Sequence, residues 1–200
     1  TPRELAAQCD IVHLCVTGSP QVEANLRGPD GVIASGKKGL IVIDCSTSNP
    51  VSTLALGEEL EAAGMTLVDA PLSRTPKEAE EGTLDTMVGC DDATFKTIEP
   101  VLRCWAGNVV HLGPLGLGHK MKLINNFVAM GYAALFSEAL AIARKAGLVN
   151  ANNRWCAVDW LSMESTAVKN VHVLGDAVLL APLMPKSGHM ANQHAKVAAA

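Results

Sequence analysis

What most constrains this chain of 200 residues is a series of short apolar strands separated by helix starts. Ile11-Val-His-Leu-Cys-Val16 reads as one strand, and Leu40-Ile-Val-Ile-Asp44 as a second that is apolar almost throughout. A strand of that kind has no polar face, so both of its faces must be covered. Further strands are expected at 66–69, 86–89 and 108–112. Between them stand helix starts. Ser19-Pro20 gives an N-cap and a proline at the first helical position for a helix running to about Leu26. Asn49-Pro50 opens another, ending near Gly64. Asp91 or Asp92 caps a third at about 92–103, and Thr1–Gln8 reads as a helix feeding the first strand. Strands and helices alternating in this way predict an α/β fold with a parallel sheet.

Composition narrows the function classes. Hydrophobic residues make up 48% of the chain and charged ones 18%, a globular and not a disordered balance. A formal charge of −4 leaves no basic footprint, so a nucleic-acid partner is not expected. Glycines and charges interrupt each apolar stretch, so no membrane span is expected, and polar Thr1–Asp10 does not read as a signal peptide. The six cysteines form no C-x-x-C pair, which fits reduced thiols in a cytoplasm. Cys15 and Cys45 fall inside apolar strand patterns and read as small core hydrophobes. The six histidines show no ligand spacing, so no metal is expected.

Two segments carry chemistry. In Asp69-Ala-Pro-Leu-Ser-Arg-Thr-Pro-Lys-Glu-Ala-Glu-Glu-Gly-Thr-Leu84 a strand opens into a loop that presents Ser73, Arg74 and Thr75. In open α/β sheets small ligands sit beyond the C-terminal ends of strands. Two hydroxyls flanking a guanidinium suit a small anion, since Arg gives two parallel charge-assisted bonds; a plain turn with a solvated Arg is the other reading. About forty residues on, Gly113-Pro-Leu-Gly-Leu-Gly-His-Lys-Met-Lys-Leu-Ile-Asn-Asn126 leads into a helix expected from about His119 to Lys145. Lys122, Asn125 and Asn126 share one face of it. A lysine in a partly dry pocket has its pKa lowered, which suits acid/base work, whereas a snorkelling lysine with two surface amides is the bland alternative.

No strand–Gly-x-Gly-x-x-Gly–helix unit precedes the first strand, and that unit carries a dinucleotide's pyrophosphate. The cluster Gly113–Gly118 has no acidic ribose partner about twenty residues on and is not read as a dinucleotide loop. The expected fold is therefore an incomplete Rossmann-like parallel sheet lacking its first βαβ unit, with an unpaired edge strand. A helix about 40 Å long follows, linking it to an all-α domain.

With these residues in view, Thr1 to about Leu148 closely resembles the β-hydroxyacid dehydrogenases, relatives of 3-hydroxyisobutyrate and 6-phosphogluconate dehydrogenases. Asp44-Cys-Ser-Thr-Ser-Asn-Pro50 resembles that family's Asp-x-Ser-Thr-x-x-Pro segment near the nicotinamide, and Asp69–Leu84 its substrate loop. Lys122 and Asn126 match its catalytic lysine and substrate-holding asparagine. The resemblance implies NAD or NADP as cofactor, with Cys15, Val16, Thr17, Ser46 and Thr47 lining its cleft. It implies Ser73 and Asn126 as substrate-orienting groups, Asn125 and Arg74 at the anionic end, and a homodimer or higher assembly in the intact parent. Arg74-Thr75 stand where most of the family has Gly-Gly, as in its sulfolactaldehyde reductase branch. The implied substrate is a short anionic aldehyde acid reduced to its hydroxy acid.

After Leu148 this resemblance stops at a polar break, Val149–Asn153. Residues from about 150 to 200 are similar instead to the FAD subunit of flavocytochrome c sulfide dehydrogenase, through Val171-His-Val-Leu-Gly-Asp176, Met184–Gly188 and Ala191–Ala200. Gly175-Asp176 alone does not hold a flavin, so FAD is not an expected cofactor. The expected organisation is a partial nucleotide domain at 1–113, the start of a helical domain at 114–148 and a foreign-looking tail at 149–200. A flavoprotein fragment and a non-catalytic chimeric remnant are the competing readings.

Overall fold

The structure, a computed structural model, describes residues 1–148, 155–174 and 178. It divides into two compact units, Thr1–Val128 and Ala129–Ala200. In the first, α1 (Pro2–Gln8) starts from a capping box in which Thr1 and Glu4 satisfy each other's backbone N–H groups. There follow β1 (Ile11–Leu14), α2 (Ser19–Leu26), β2 (Ile41–Asp44), α3 (Pro50–Ala62) and β3 (Thr66–Asp69). The three strands pair in parallel, with Leu14 level with Asp44 and Asp44 level with Asp69. Whatever follows these three residues therefore emerges along one edge of the sheet.

The next elements are β4 (Leu72–Ser73), α4 (Pro76–Glu80), β5 (Leu84–Gly89), α5 (Asp92–Leu102) and β6 (Ala106–Gly113). β5 runs antiparallel to β3 and β4 and parallel to β6. The six-stranded sheet is thus mixed, with the order β1-β2-β3-β5-β4 and β6 also on β5. The expected Rossmann-like sheet is present and parallel-dominated, and its antiparallel part enters at residues 70–83. A parallel return needs a crossover of a dozen or more residues that packs across the sheet. Here a two-residue strand and a five-residue helix turn the chain straight back. Both are too short to show a period in the sequence.

A smaller correction concerns one cap. The N-cap of α2 is Gly18; Ser19 Oγ instead accepts from Asn49 N at 2.7 Å, tying the start of α2 to that of α3. Of the two candidates, Asp91 caps α5, with its carboxylate accepting from Ala93 N and Thr94 N.

The apolar strand β2 has a simple explanation. Val42 and Leu67 join Val12, Leu14, Val22, Leu26, Leu56 and Leu60 in one buried cluster. Their neighbours Ile43 and Val68 point the other way, into a second cluster with Val88, Ile98 and Leu102. Helices α2 and α3 supply the first cover and α5 the second, as a strand without a polar face requires. Among the described residues β1 pairs only with β2.

Helix α6 (Leu117–Lys145) begins two residues before the expected start, with Gly118 and His119 buried. One 18-residue window reaches a mean hydropathy of 1.4, enough by length and composition alone to cross a membrane. Gly131 does not interrupt it, since an interior glycine costs a helix only about 1 kcal/mol. Past its end, Gly147 adopts φ +71° and Leu148 N donates to Ala143 O at 2.9 Å, the closing bond of a Schellman turn.

In the second unit, residues 155–174 form a small bridged structure. Val158 pairs with Ser165 and Glu164 with His172, and Asp159 caps the turn between them through Leu161 N and Ser162 N. Of residues 171–174, His172 contributes one bridge. The break at 149–153, the Gly175-Asp176 pair and residues 184–200 lie outside the described residues.

Leu60 and Leu54 lie on the same helix, the first fully buried and the second 41% exposed. Leu60→Ala is expected to cost about 2–5 kcal/mol, and Leu54→Ala about 1 kcal/mol or less. Both are read as shifts in the urea midpoint at constant slope. Equal costs would contradict the assigned core.

Candidate active site

The level ends of β1, β2 and β3 determine what can meet. Past β1, Val16 N donates to Ser46 Oγ at 3.0 Å, joining the exits of the first two strands. Asp44 ends β2 buried, and its carboxylate accepts from Ser46 N at 2.9 Å and from Ser48 Oγ at 2.8 Å. Cys15, Thr17 and Thr47 are exposed along this edge, while Ser46 is buried and Val16 half-buried; β1 ends at Leu14, so Cys15 is not the core hydrophobe its apolar surroundings suggest. These neutral hydroxyl and backbone groups would suit the carboxamide of a nicotinamide cofactor, an uncharged group that both donates and accepts.

Asp69 ends β3 fully buried. Its two oxygens accept from Gly116 N and His119 N, each at 2.7 Å, and these are free N–H groups at the start of α6. Burial pushes the Asp69 carboxyl above the ordinary aspartate value, and the two N–H bonds oppose that shift. The His119 ring, also fully buried, bonds Thr53 Oγ1 through Nδ1 at 2.8 Å and Ser46 O through Nε2 at 3.1 Å. A carbonyl only accepts, so Nε2 carries a hydrogen. The Asp44 and Asp69 carboxylates lie 3.7 and 3.8 Å from the ring nitrogens. Gly118 lies so close to the sheet that a Cβ there would overlap the Met87 carbonyl and crowd Asp69.

One turn beyond His119, half-buried Lys122 donates from Nζ to Ser73 Oγ at 3.1 Å. Burial lowers its ammonium below the ordinary lysine value of 10.5. Asn125 Nδ2 reaches Met87 Sδ at 3.6 Å, and Asn126 is half-buried on the same helix. Ser73, Asp85, Asn108, Met121 and Asn125 are among the residues around a cavity of about 260 Å³.

The remaining loop residues are engaged locally. Arg74 Nε pairs with Asp85 Oδ2 at 2.8 Å across the β4–β5 register, and Arg74 holds φ +90°. That backbone region is natural for glycine and strained for arginine. Thr75 forms a capping box with Glu78, which takes up its hydroxyl. Asp85 Oδ1 is buried without a hydrogen-bond partner among the described residues. Among those residues no group of His, Cys, Asp and Glu is arranged to hold a metal.

The structure thus brings Ser73, Lys122 and Asn125 to one place and ties Val16 to Ser46. Sequence reasoning missed Asp69, His119, Thr53 and Asp85. The signal for the first two was present: a charged residue ending an apolar strand and a histidine opening an apolar helix are each costly to bury unless they have partners.

The sequence family described as the NAD binding domain of 6-phosphogluconate dehydrogenase matches residues 1–113. The 2-(hydroxymethyl)glutarate dehydrogenase of Eubacterium barkeri is 36% identical over 146 residues, covering 73% of this chain and 48% of the relative. The 2-hydroxy-3-oxopropionate reductase of Escherichia coli is 33% identical over 147 residues, covering 74% and 50%. The solved Mycobacterium tuberculosis 3-hydroxyisobutyrate dehydrogenase with L-serine is similar at a TM-score of 0.66 and 32% identity, covering 73% of this chain and 49% of that one. The chain spans about half the length of the curated relatives it matches.

Removing the Asp69 carboxylate leaves two N–H groups at the start of α6 without acceptors. Asp69→Ala is expected to cost about 3–5 kcal/mol, as for breaking a buried hydrogen-bonded charge. Urea unfolding checks it, and a cost below about 1 kcal/mol would contradict the geometry above.

Proposed function

The chain belongs to the β-hydroxyacid dehydrogenase family, and from that premise we propose that it serves an NAD(P)-dependent reduction of a short anionic aldehyde acid to its hydroxy acid. The observation that carries this reading is the Lys122 Nζ–Ser73 Oγ hydrogen bond at the ligand edge of the sheet. Its relatives include a 2-(hydroxymethyl)glutarate dehydrogenase and a 2-hydroxy-3-oxopropionate reductase, both named for small hydroxy or oxo acids.

When bound, a nicotinamide would supply the hydride for this reduction. Cys15, Val16, Thr17, Ser46 and Thr47 are the residues that would hold its reactive end. Lys122 gives a proton from its ammonium to the aldehyde oxygen, which becomes the new hydroxyl. Burial lowers the lysine's pKa and so brings its proton transfer closer to the working pH. Ser73 accepts from Lys122 and fixes its direction, and Ser73 and Asn126 orient the substrate. The orphaned Asp85 oxygen, an acceptor short of a donor, suits a hydroxyl of the substrate.

Arg74 and Asn125 meet the anionic group. The ion pair to Asp85 uses Arg74 Nε and leaves the outer guanidinium nitrogens free to fork onto a sulfonate, carboxylate or phosphate. The strain at Arg74 supports this assignment, because a glycine would hold the same backbone without it. Thr75 joins the set by turning its hydroxyl from Glu78 to the anion. Assembly as a homodimer or higher belongs to the same reading, since Phe127, Met130 and Phe136 of α6 are exposed.

The test follows nicotinamide absorbance with the purified chain and paired aldehydes, one sulfonated or carboxylated and one uncharged. Lys122→Met is expected to abolish turnover and leave nicotinamide affinity nearly unchanged. Reduction by the parent needs the protonated lysine, so its rate falls as pH rises through the lowered Lys122 value. Arg74→Gly is expected to raise KM about tenfold or more for the anionic aldehyde alone, the loss of one charge-assisted contact of about 1.5–3 kcal/mol. Equal effects on both aldehydes would contradict the anion reading. Loss of cofactor binding in Lys122→Met would make the lysine structural.

A further inference from the structure

A lysine side chain is flexible, and Lys122 sits on a helix that reaches the sheet through a loop. Proton transfer demands geometry fixed to a fraction of an ångström, so something must hold the first turn of α6 against the strand carrying Ser73. We propose that Asp69 and His119 are positioning residues that set Lys122 on Ser73, an inference that rests on the reading of Lys122 as the proton donor.

Each end of the Lys122–Ser73 bond traces back to the end of β3. On the helix side, the Asp69 carboxylate holds Gly116 N and His119 N, so the axial position of α6 is set by a β-strand terminus. The His119 ring adds two further ties, to Thr53 on α3 and to the Ser46 carbonyl beyond β2. Together they fix the rotation of the helix about its axis. Lys122 follows His119 by three residues and so lies on the same face, one turn on. Tight seating of Gly118 on the Met87 carbonyl leaves the turn no room to slide.

On the loop side, Ser73 lies four residues after Asp69 on β4, which pairs with β5 through Leu72↔Thr86 and Ser73↔Asp85. The Thr86 hydroxyl donates to Ala70 O at 3.0 Å, pinning that loop immediately after Asp69. Neither Asp69 nor His119 is among the residues around the cavity beside Ser73. Their effect on chemistry passes through Lys122.

The test reads Lys122 directly and needs no turnover. The 200-residue chain is labelled with short pulses of an amine-acylating reagent across alkaline pH, and the extent at each lysine is read by mass spectrometry. Lys120, exposed two residues away, reports reagent reactivity and general exposure of the helix. His119→Gln keeps one hydrogen-bonding end in place of two. Thr53→Val removes only the hydroxyl under the ring and keeps the side-chain shape, so it remains informative if the first variant does not fold.

In both variants the Lys122 labelling midpoint is expected to rise toward the free-lysine value as the side chain leaves its half-buried seat. A raised midpoint lowers the reactive neutral fraction, so Lys122 labelling near pH 8 is expected to fall severalfold relative to Lys120. Lys120 labelling and a cooperative unfolding transition should be retained, with the smaller shift in Thr53→Val. A parental Lys122 midpoint in a folded variant overturns the proposal. A shifted midpoint in a chain that never oxidises a nicotinamide supports the positioning and overturns only the dehydrogenase reading.

Discussion

Asp69 sits where three demands converge. It ends a parallel strand buried on both faces, it is fully buried itself, and its oxygens hold two N–H groups at the start of α6. A buried carboxylate is tolerable only with partners of this strength, and helix-start N–H groups are strong partners because they have no bond within the helix. Through this one residue the direction of a long helix is tied to the sheet register. The imidazole of His119, between the Asp69 and Asp44 carboxylates, extends the tie to β2 and α3. The placement of Lys122 follows from that junction.

Much of this architecture was legible in the chain. The continuous apolar run of β2 meant cover on both faces, and the two buried clusters divide its residues alternately as that argument requires. Asn49-Pro50 announced α3, where Asn49 does cap the helix by accepting from Val51 N. The reversal at 70–83 was not legible, because β4 and α4 are too short to repeat their own patterns even twice. Nor was the cap of α2, since Ser19 bonds a residue thirty positions away. Periodicity reports local repetition and is silent on such long-range partners.

The same division holds at the site. Lys122 and Ser73 were visible because a lysine on an apolar helix face and a hydroxyl past a strand end are each unusual by themselves. Asp85 was not, because its meaning depends on β4 lying beside β5. Once they do, Asp85 pairs with an arginine held in a backbone conformation that favours glycine. Strain kept at a side chain with an outward-facing charge is the kind of local inconsistency that folds tolerate at functional positions.

Native-state hydrogen exchange at the amides of Gly116 and His119 tests the junction most directly. Both N–H groups point into a buried carboxylate, so they should exchange only through global unfolding, with protection matching the stability measured in urea. Amides in β2 and β3, at the centre of the core, give the reference for that limit. Exchange at Gly116 and His119 through small local openings, while β2 and β3 stay protected, would contradict the account: the start of α6 would then be loosely held, and Asp69 would not anchor it.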